Sequence, residues 1–324
     1  MKVVVAGATG FVGQHLVRRL IAGGRTVLCG TRSPDRARAA APDRNWVHLD
    51  VDDASSLAAA FVGADALVYL VHQMRADPSH DLLDHERESA ERVRQAAESA
   101  GIRRIVYLGG PRPQGEPSHH LAARLATGEA LRDSSRLTTV ELRAGMVIGE
   151  GSESWLICRD LAHRLPIMVL PQWLRTRSQP IGIDDAVAAL DRCLDLELTA
   201  SVALDLPGPE VVSAREILER IAAHVGIRPV MVPVPFLTPR LSSLWLRLVT
   251  RADYGLAVQL VDGLTQDLIA SGDGFWELAP DLERTPLDVA ITRALAAEPR
   301  LPAGQRVWEG LVRRVGARAL LSPS

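Results

Sequence analysis

Gly7, Gly10 and Gly13 stand in the run Ala6-Gly7-Ala8-Thr9-Gly10-Phe11-Val12-Gly13, directly after the apolar stretch Lys2 to Ala6 and before an amphipathic stretch reaching about Gly23. A GxxGxxG spacing between a strand and a helix is suited to holding phosphates. Gly7 permits a tight turn, Gly10 puts no side chain between the backbone and a pyrophosphate, and Gly13 lets the helix lie close to the sheet. The helix start adds N–H groups without intrahelical partners and a partial positive charge, and Thr9, Phe11 and Val12 belong to the same cradle. A dinucleotide site is the reading; a ligand-free glycine turn is the bland alternative.

The second strand decides which dinucleotide. It ends in Cys29-Gly30-Thr31-Arg32-Ser33, with no carboxylate to accept from a ribose 2′-hydroxyl, whereas Arg32 can stack on adenine and pair with a 2′-phosphate. NADP(H) is the expected cofactor, against the ordinary reading of Arg32 as a surface arginine. Asp50, next to Val51, either meets the adenine amine or caps the following helix. Leu70, Val71 and His72 end the fourth strand and are expected beside pyrophosphate and ribose. Leu108 and Gly109 end the fifth strand, and Met146 and Val147 are expected near the nicotinamide. His119 and His120 precede a helix: His120 is a candidate proton donor and Arg124 a candidate anion-binding group, unless the pair is simply solvated. Tyr107 reads as a core tyrosine with its hydroxyl tied to a neighbour, and Asp184-Asp185 as a helix cap; no set of residues has metal-ligand spacing.

The 324 residues contain one lysine, Lys2. That excludes a GxxxxGK[ST] phosphate loop, an interior Schiff-base lysine and any Tyr-x-x-x-Lys pair. A net charge of -2 with no run of five like charges gives a phosphate-backbone binder nothing to use, so no nucleic-acid partner is expected. Cys29, Cys158 and Cys193 form no CxxC, against a disulfide framework or a zinc knuckle. No apolar run reaches the roughly 18 residues of a membrane span, and no leader precedes Val3, so a soluble cytoplasmic protein is expected.

The elements that must position these residues alternate. Strands are predicted at Lys2 to Ala6, Thr26 to Thr31, Trp46 to Leu49, Ala66 to Val71, Arg104 to Gly109 and Thr138 to Arg143, with a helix at Leu82 to Ala100 stopped by Gly101. This is an α/β Rossmann domain, a doubly wound parallel sheet, over residues 1–150. A smaller C-terminal substrate lobe, 151–324, is interleaved with it and carries a helical tail after about 275. In that lobe Val202 to Leu206 reads as a strand, Ser213 with Glu216 as a capping box opening a helix to His224, and Pro229 to Val234 as an edge strand. Helices are expected at Leu241 to Val249 and Leu256 to Ala270, as a lid or a homodimer surface, with membrane or isoprenoid contact as the alternative for the first. Further helices are expected at Leu287 to Ala297 and Val307 to Val315.

Taken in order, Val5-Ala-Gly-Ala-Thr-Gly-Phe-Val-Gly13, Arg104-Ile-Val-Tyr-Leu-Gly-Gly110, Glu141-Leu-Arg-Ala-Gly-Met-Val-Ile-Gly149, Gln179-Pro-Ile-Gly-Ile-Asp-Asp185 and Leu206-Pro-Gly-Pro-Glu210 resemble the extended and atypical short-chain dehydrogenases/reductases. Tyr69-Leu-Val-His-Gln-Met74, Ser118-His-His-Leu121 and Pro235-Phe-Leu-Thr-Pro-Arg-Leu-Ser-Ser-Leu-Trp245 resemble their bacterial NAD(P)H-binding, NmrA-like group. The resemblance implies a Ser or Thr after the fifth strand and a Tyr-x-x-x-Lys on the next helix. Here Gly109-Gly110, Leu121 and Leu125 occupy those positions. The expected activity is an NADP(H)-dependent oxidoreductase without that triad, acting on a small hydrophobic substrate and favouring conjugated C=C or C=N reduction. The alternatives are a non-catalytic NAD(P)-sensing regulator of NmrA type and an isomerase or epimerase with retained cofactor.

Overall fold

Val3, Val4 and Val5 are successive, β-branched and fully buried, a combination that only a strand covered on both faces accommodates. They form β1 (Lys2–Ala6), the centre of the sheet in the computed structural model, which describes residues 1–72, 82–165, 167–227, 229–234 and 266–299 and positions 304, 307 and 310. The chain continues through α1 (Phe11–Ala22), β2 (Thr26–Thr31), α2 (Pro34–Ala40), β3 (Trp46–His48), α3 (Ala54–Ala60), β4 (Ala66–Tyr69), α4 (Leu82–Ser99), β5 (Arg104–Gly109), α5 (His119–Arg132) and β6 (Thr138–Arg143). With β11 (Val202–Asp205), the strands make one parallel sheet of order β11-β6-β5-β4-β1-β2-β3. The order reverses between β1 and β4, and a doubly wound sheet opens its ligand crevice at the strand ends there. One apolar core packs α1 and later segments on one face of the sheet; α3, α4 and α5 bury a second on the other.

The sheet does not stop with the sixth strand. β11 pairs with β6 from Val202↔Val140 to Asp205↔Arg143, so a segment beyond Gly149 completes it. The other elements there are β7 (Val147–Ile148), α6 (Glu153–Arg164), β8 (Ile167–Pro171), β9 (Arg177–Ser178), β10 (Ile181–Gly182), α7 (Ile183–Cys193), β12 (Val212–Ser213), α8 (Ala214–His224), β13 (Val230–Val234), α9 (Phe275–Leu278) and α10 (Leu287–Ala297). β7 pairs with β10 and β8 with β13 in parallel, and β9 with β12 antiparallel. The Ser213–Glu216 capping box is present with both reciprocal bonds. α7 is tied to α1 and its exit by Arg19 and Arg25, which bind Asp191, while Arg25 also binds Asp195. The segment after 270 folds back onto the sheet: Phe275 and Trp276 are buried in the first core, and the Trp276 indole donates to Pro207 O at 2.8 Å.

Three local expectations are corrected. Asp184 and Asp185 do not cap α7, whose N-cap is Gly182. Asp185 instead accepts from the Thr285 backbone N–H and hydroxyl, each at 2.7 Å, while Asp184 pairs with Arg293. The cap of α3 is Asp53, which accepts from Ser55 N–H, and not Asp50. Residues 266–270 are not helical; Leu268 bridges to Ser178, so pairing with a strand overrides the apolar period read there. The rest of that stretch and Leu241 to Val249 lie outside the described residues. So does most of Val307 to Val315, of which positions 307 and 310 are helical. Among the described residues no helix is long and apolar enough to cross a membrane.

Candidate active site

A cleft of about 990 Å³ opens at the C-terminal ends of β1, β2 and β4. Gly7 turns off β1 in the left-handed region, with φ +86°, and a Cβ there would sit 2.9 Å from Leu70 O. Gly13 brings α1 against this turn: a Cβ would overlap the Gly7 carbonyl oxygen and lie 2.9 Å from Ala8 Cα. α1 starts at Gly10 with no side-chain cap and no acidic residue in its first turn, so neither competes with an anion at its N-terminus.

Of the residues singled out from sequence, Gly7, Thr9, Gly10, Arg32, Asp50, Val51, Leu70, Val71 and His72 line this cleft. Phe11, Val12 and Gly13 form the first turn of α1, with the Phe11 ring turned against His15 and Gly149. Leu108 and Gly109 end β5. Met146 packs at the edge of the core around Trp155, and Val147 pairs with Ile181. None of these last four lines the cleft wall. The structure adds Gly30, Arg36, Arg44 and Trp46. Arg36 lies in the first turn of α2, just after Arg32 at the end of β2. That closeness in sequence was the available signal. The Arg44 guanidinium sits 6.0 Å from the Trp46 ring. At Gly30 a Cβ would meet the Leu49 side chain at 2.7 Å, so the glycine lets Leu49 pack against β2 at the cleft wall.

At the far side His72 links the cleft wall to α5 through Leu108 O. His72 Nε2 lies 3.3 Å from Leu108 O; a carbonyl only accepts, so Nε2 carries the proton and Nδ1 is a bare acceptor. That Nδ1 is buried and has no hydrogen-bond partner. Arg124 Nη2 donates to the same Leu108 oxygen at 3.0 Å, and the Tyr107 hydroxyl donates to Arg124 O at 3.0 Å, as a core tyrosine should. Burial first, then the Arg124 charge, holds the His72 imidazole well below its ordinary range and pushes His120 down to about 4. His120 is therefore neutral at neutral pH, and His119 beside it is exposed. Both folded-state values lie below the unfolded one, so the unfolded chain binds protons first as pH falls. Stability should hold above about 6.5 and drop between about 6.5 and 4; urea unfolding across that range checks it, and a flat profile would contradict the burial of both rings.

Of the positions that the resemblance assigns to a triad, Gly110 and Leu121 lie together. A Cβ on Gly110 would be 2.5 Å from Leu121 Cδ1, so the Leu121 side chain covers that glycine. Lys2 is at the opposite end of β1, where its ammonium donates to Val62 O. Behind α5, Glu141 is fully buried between Arg132 at 2.8 Å and Arg143 at 2.9 Å, and Gly128 makes room for it: a Cβ there would lie 2.5 Å from the carboxylate. Gly128→Ala should cost about 1–3 kcal/mol in urea unfolding, because a buried ion pair must shift.

Residues 7–147, from the glycine turn to the start of β7, match an NAD(P)H-binding family. The chain is 29% identical over 276 residues to a 3-diazoavenalumate denitrifying reductase of a Streptomyces species, covering 74% of this chain and 87% of the relative. It is 27% identical over 236 residues to a ceramide reductase of Caulobacter vibrioides, covering 72% and 73%. Its fold matches Citrobacter triphenylmethane reductase complexed with NADP(H), with a TM-score of 0.71 at 17% identity over 91% of this chain and 100% of that one. The architecture is a Rossmann-like α/β fold, and the NAD(P)H-binding match supports a nicotinamide dinucleotide as the cofactor class.

Proposed function

We propose that this chain is an NADP(H)-dependent oxidoreductase that acts on a small hydrophobic substrate, held by the lobe beyond residue 150 against the strand ends. The observation that carries the choice of NADP(H) is the pair Arg32 and Arg36. Both line the cleft beside Ser33, and neither has a carboxylate partner among the described residues. Two free guanidiniums and no acidic residue at the end of β2 suit a 2′-phosphate. The uncapped start of α1 suits the pyrophosphate, Asp50 the adenine amine, and the bare His72 Nδ1 a ribose hydroxyl. Bound there, the nicotinamide supplies a hydride. The chain's own residues supply little acid: Leu121 and Leu125 carry no proton, and His120 is neutral. An acceptor such as a conjugated C=C or C=N, which makes small demands on an acid at the reacting atom, fits these side chains better than a simple ketone. The names of the relatives, two reductases, support the reaction class.

A non-catalytic NAD(P)-sensing role is the second reading, and the apolar cover of Leu121 over Gly110 favours it. Calorimetric titration with NADPH, NADP⁺, NADH and NAD⁺, followed by turnover of carbonyl, enone and quinone substrates, separates the two. NADPH binding with consumption supports the oxidoreductase. Strongly unequal NADPH and NADP⁺ affinities without consumption of any substrate support the sensor, and failure to bind any of the four removes both.

A further inference from the structure

Arg124 is a cation that nothing in the described structure neutralises. The arginines around it are paired: Arg132 and Arg143 share Glu141, and Arg112 lies 3.5 Å from Glu129. Glu86, the other carboxylate buried near α5, accepts from the Thr127 hydroxyl at 3.2 Å. Arg124 spends one Nη2 hydrogen on Leu108 O, while its Nε is buried and has no hydrogen-bond partner. A buried charged donor left in this state costs free energy that a bound anion would recover.

The neighbours point the same way. A Cβ on Gly110 would sit 2.5 Å from Leu121 Cδ1 and 3.3 Å from Arg124 Nε, so the tip of the Leu121 side chain covers the unpartnered donor and must turn aside for a ligand to reach it. The carbonyl that receives Arg124 also receives His72, whose ring forms part of the cleft wall, so the guanidinium lies one shared oxygen away from the cleft. His72 and His120 beside it are neutral, and burial keeps the Tyr107 hydroxyl, which donates to Arg124 O, protonated, so none of the three adds a competing charge at neutral pH. A single guanidinium edge, Nε with the adjacent Nη, offers two parallel donors, the match for a carboxylate.

We propose that Arg124 is the substrate's anion anchor, and that the substrate class is a hydrophobic organic acid whose carboxylate lies against Arg124 Nε beside Gly110. The proposal rests on the oxidoreductase reading and names the substrate of that site. Its test uses the full chain saturated with NADPH, titrated with benzoate, trans-cinnamate and hexanoate and with the three matching neutral amides. The carboxylates should bind about ten- to a hundredfold more tightly than their amides, the range for a charge-assisted hydrogen bond. Arg124→Gln should erase the difference, Arg124→Lys should restore part of it, and NADPH affinity should stay as in the wild type. Equal binding of acids and amides overturns the proposal, as does absence of binding by every acid or a preference that survives Arg124→Gln. A large loss of NADPH affinity in Arg124→Gln also overturns it, by making Arg124 a cofactor contact. If the wild type binds no NADPH, the cofactor reading itself has failed, which the first titration shows separately.

Discussion

Alanine at position 13 should abolish dinucleotide binding and lower the melting temperature. The new Cβ would overlap the Gly7 carbonyl oxygen and press on Ala8 Cα at 2.9 Å, and both are backbone atoms that no rotamer change can move. Relief requires α1 to move away from the β1 turn. The N–H groups of that first turn then leave the position where a pyrophosphate would meet them, and Leu16, Val17 and Leu20, all fully buried, lose contact with the sheet. We expect NADPH affinity to fall at least about a hundredfold, since several charge-assisted hydrogen bonds are lost together. Calorimetry checks the binding and thermal unfolding the stability. Wild-type affinity in Gly13→Ala would mean that the helix start is not where the phosphates sit.

Arg32→Glu should reverse the cofactor preference. The substitution removes a guanidinium from the cleft and sets a carboxylate there, repelling a 2′-phosphate but able to accept from a free ribose 2′-hydroxyl. NADPH should weaken about ten- to a hundredfold, the worth of one charge-assisted contact, while NADH should change little. Arg36 moderates the effect, because a second unpaired cation still faces the phosphate, so the double replacement of Arg32 and Arg36 should exceed the single one. Arg32 is exposed and distant from the cores, so unfolding should be unaffected. Equal losses for NADPH and NADH would refute the 2′-phosphate contact.

Much of this site was legible before any fold was known, because its determinants are local. A GxxGxxG between an apolar run and an amphipathic one carries its own geometry: Gly13 is required by backbone atoms of Gly7 and Ala8, and Gly7 by its own left-handed turn, although the atoms that crowd it belong to distant Leu70. The strands at Lys2–Ala6, Thr26–Thr31, Arg104–Gly109 and Thr138–Arg143 coincide with the predicted ranges, since a strand buried on both faces reads as an unbroken apolar run. The capping box at Ser213 and the helix at Leu287–Ala297 were visible for the same reason.

What lay beyond the sequence was whatever depends on partners far along the chain. Asp184-Asp185 has the composition of a cap, but Asp185 is claimed by Thr285, a hundred residues on. Leu268 continues an apolar period, yet it bridges to Ser178. Arg36 and Arg44 join Arg32 because α2 and β3 fold back over the end of β2, and Glu141 is buried because two arginines and a glycine from separate elements converge on it. Arg124 was visible as a candidate; its unpaired state was not, since that follows from where every nearby carboxylate went. By itself the sequence determined the parallel sheet, the phosphate-binding turn and the exclusion of lysine chemistry, through short-range sterics and composition. Only the tertiary structure decided which charges are neutralised and which face the cleft, because Coulomb interactions depend on distance in space and not along the chain.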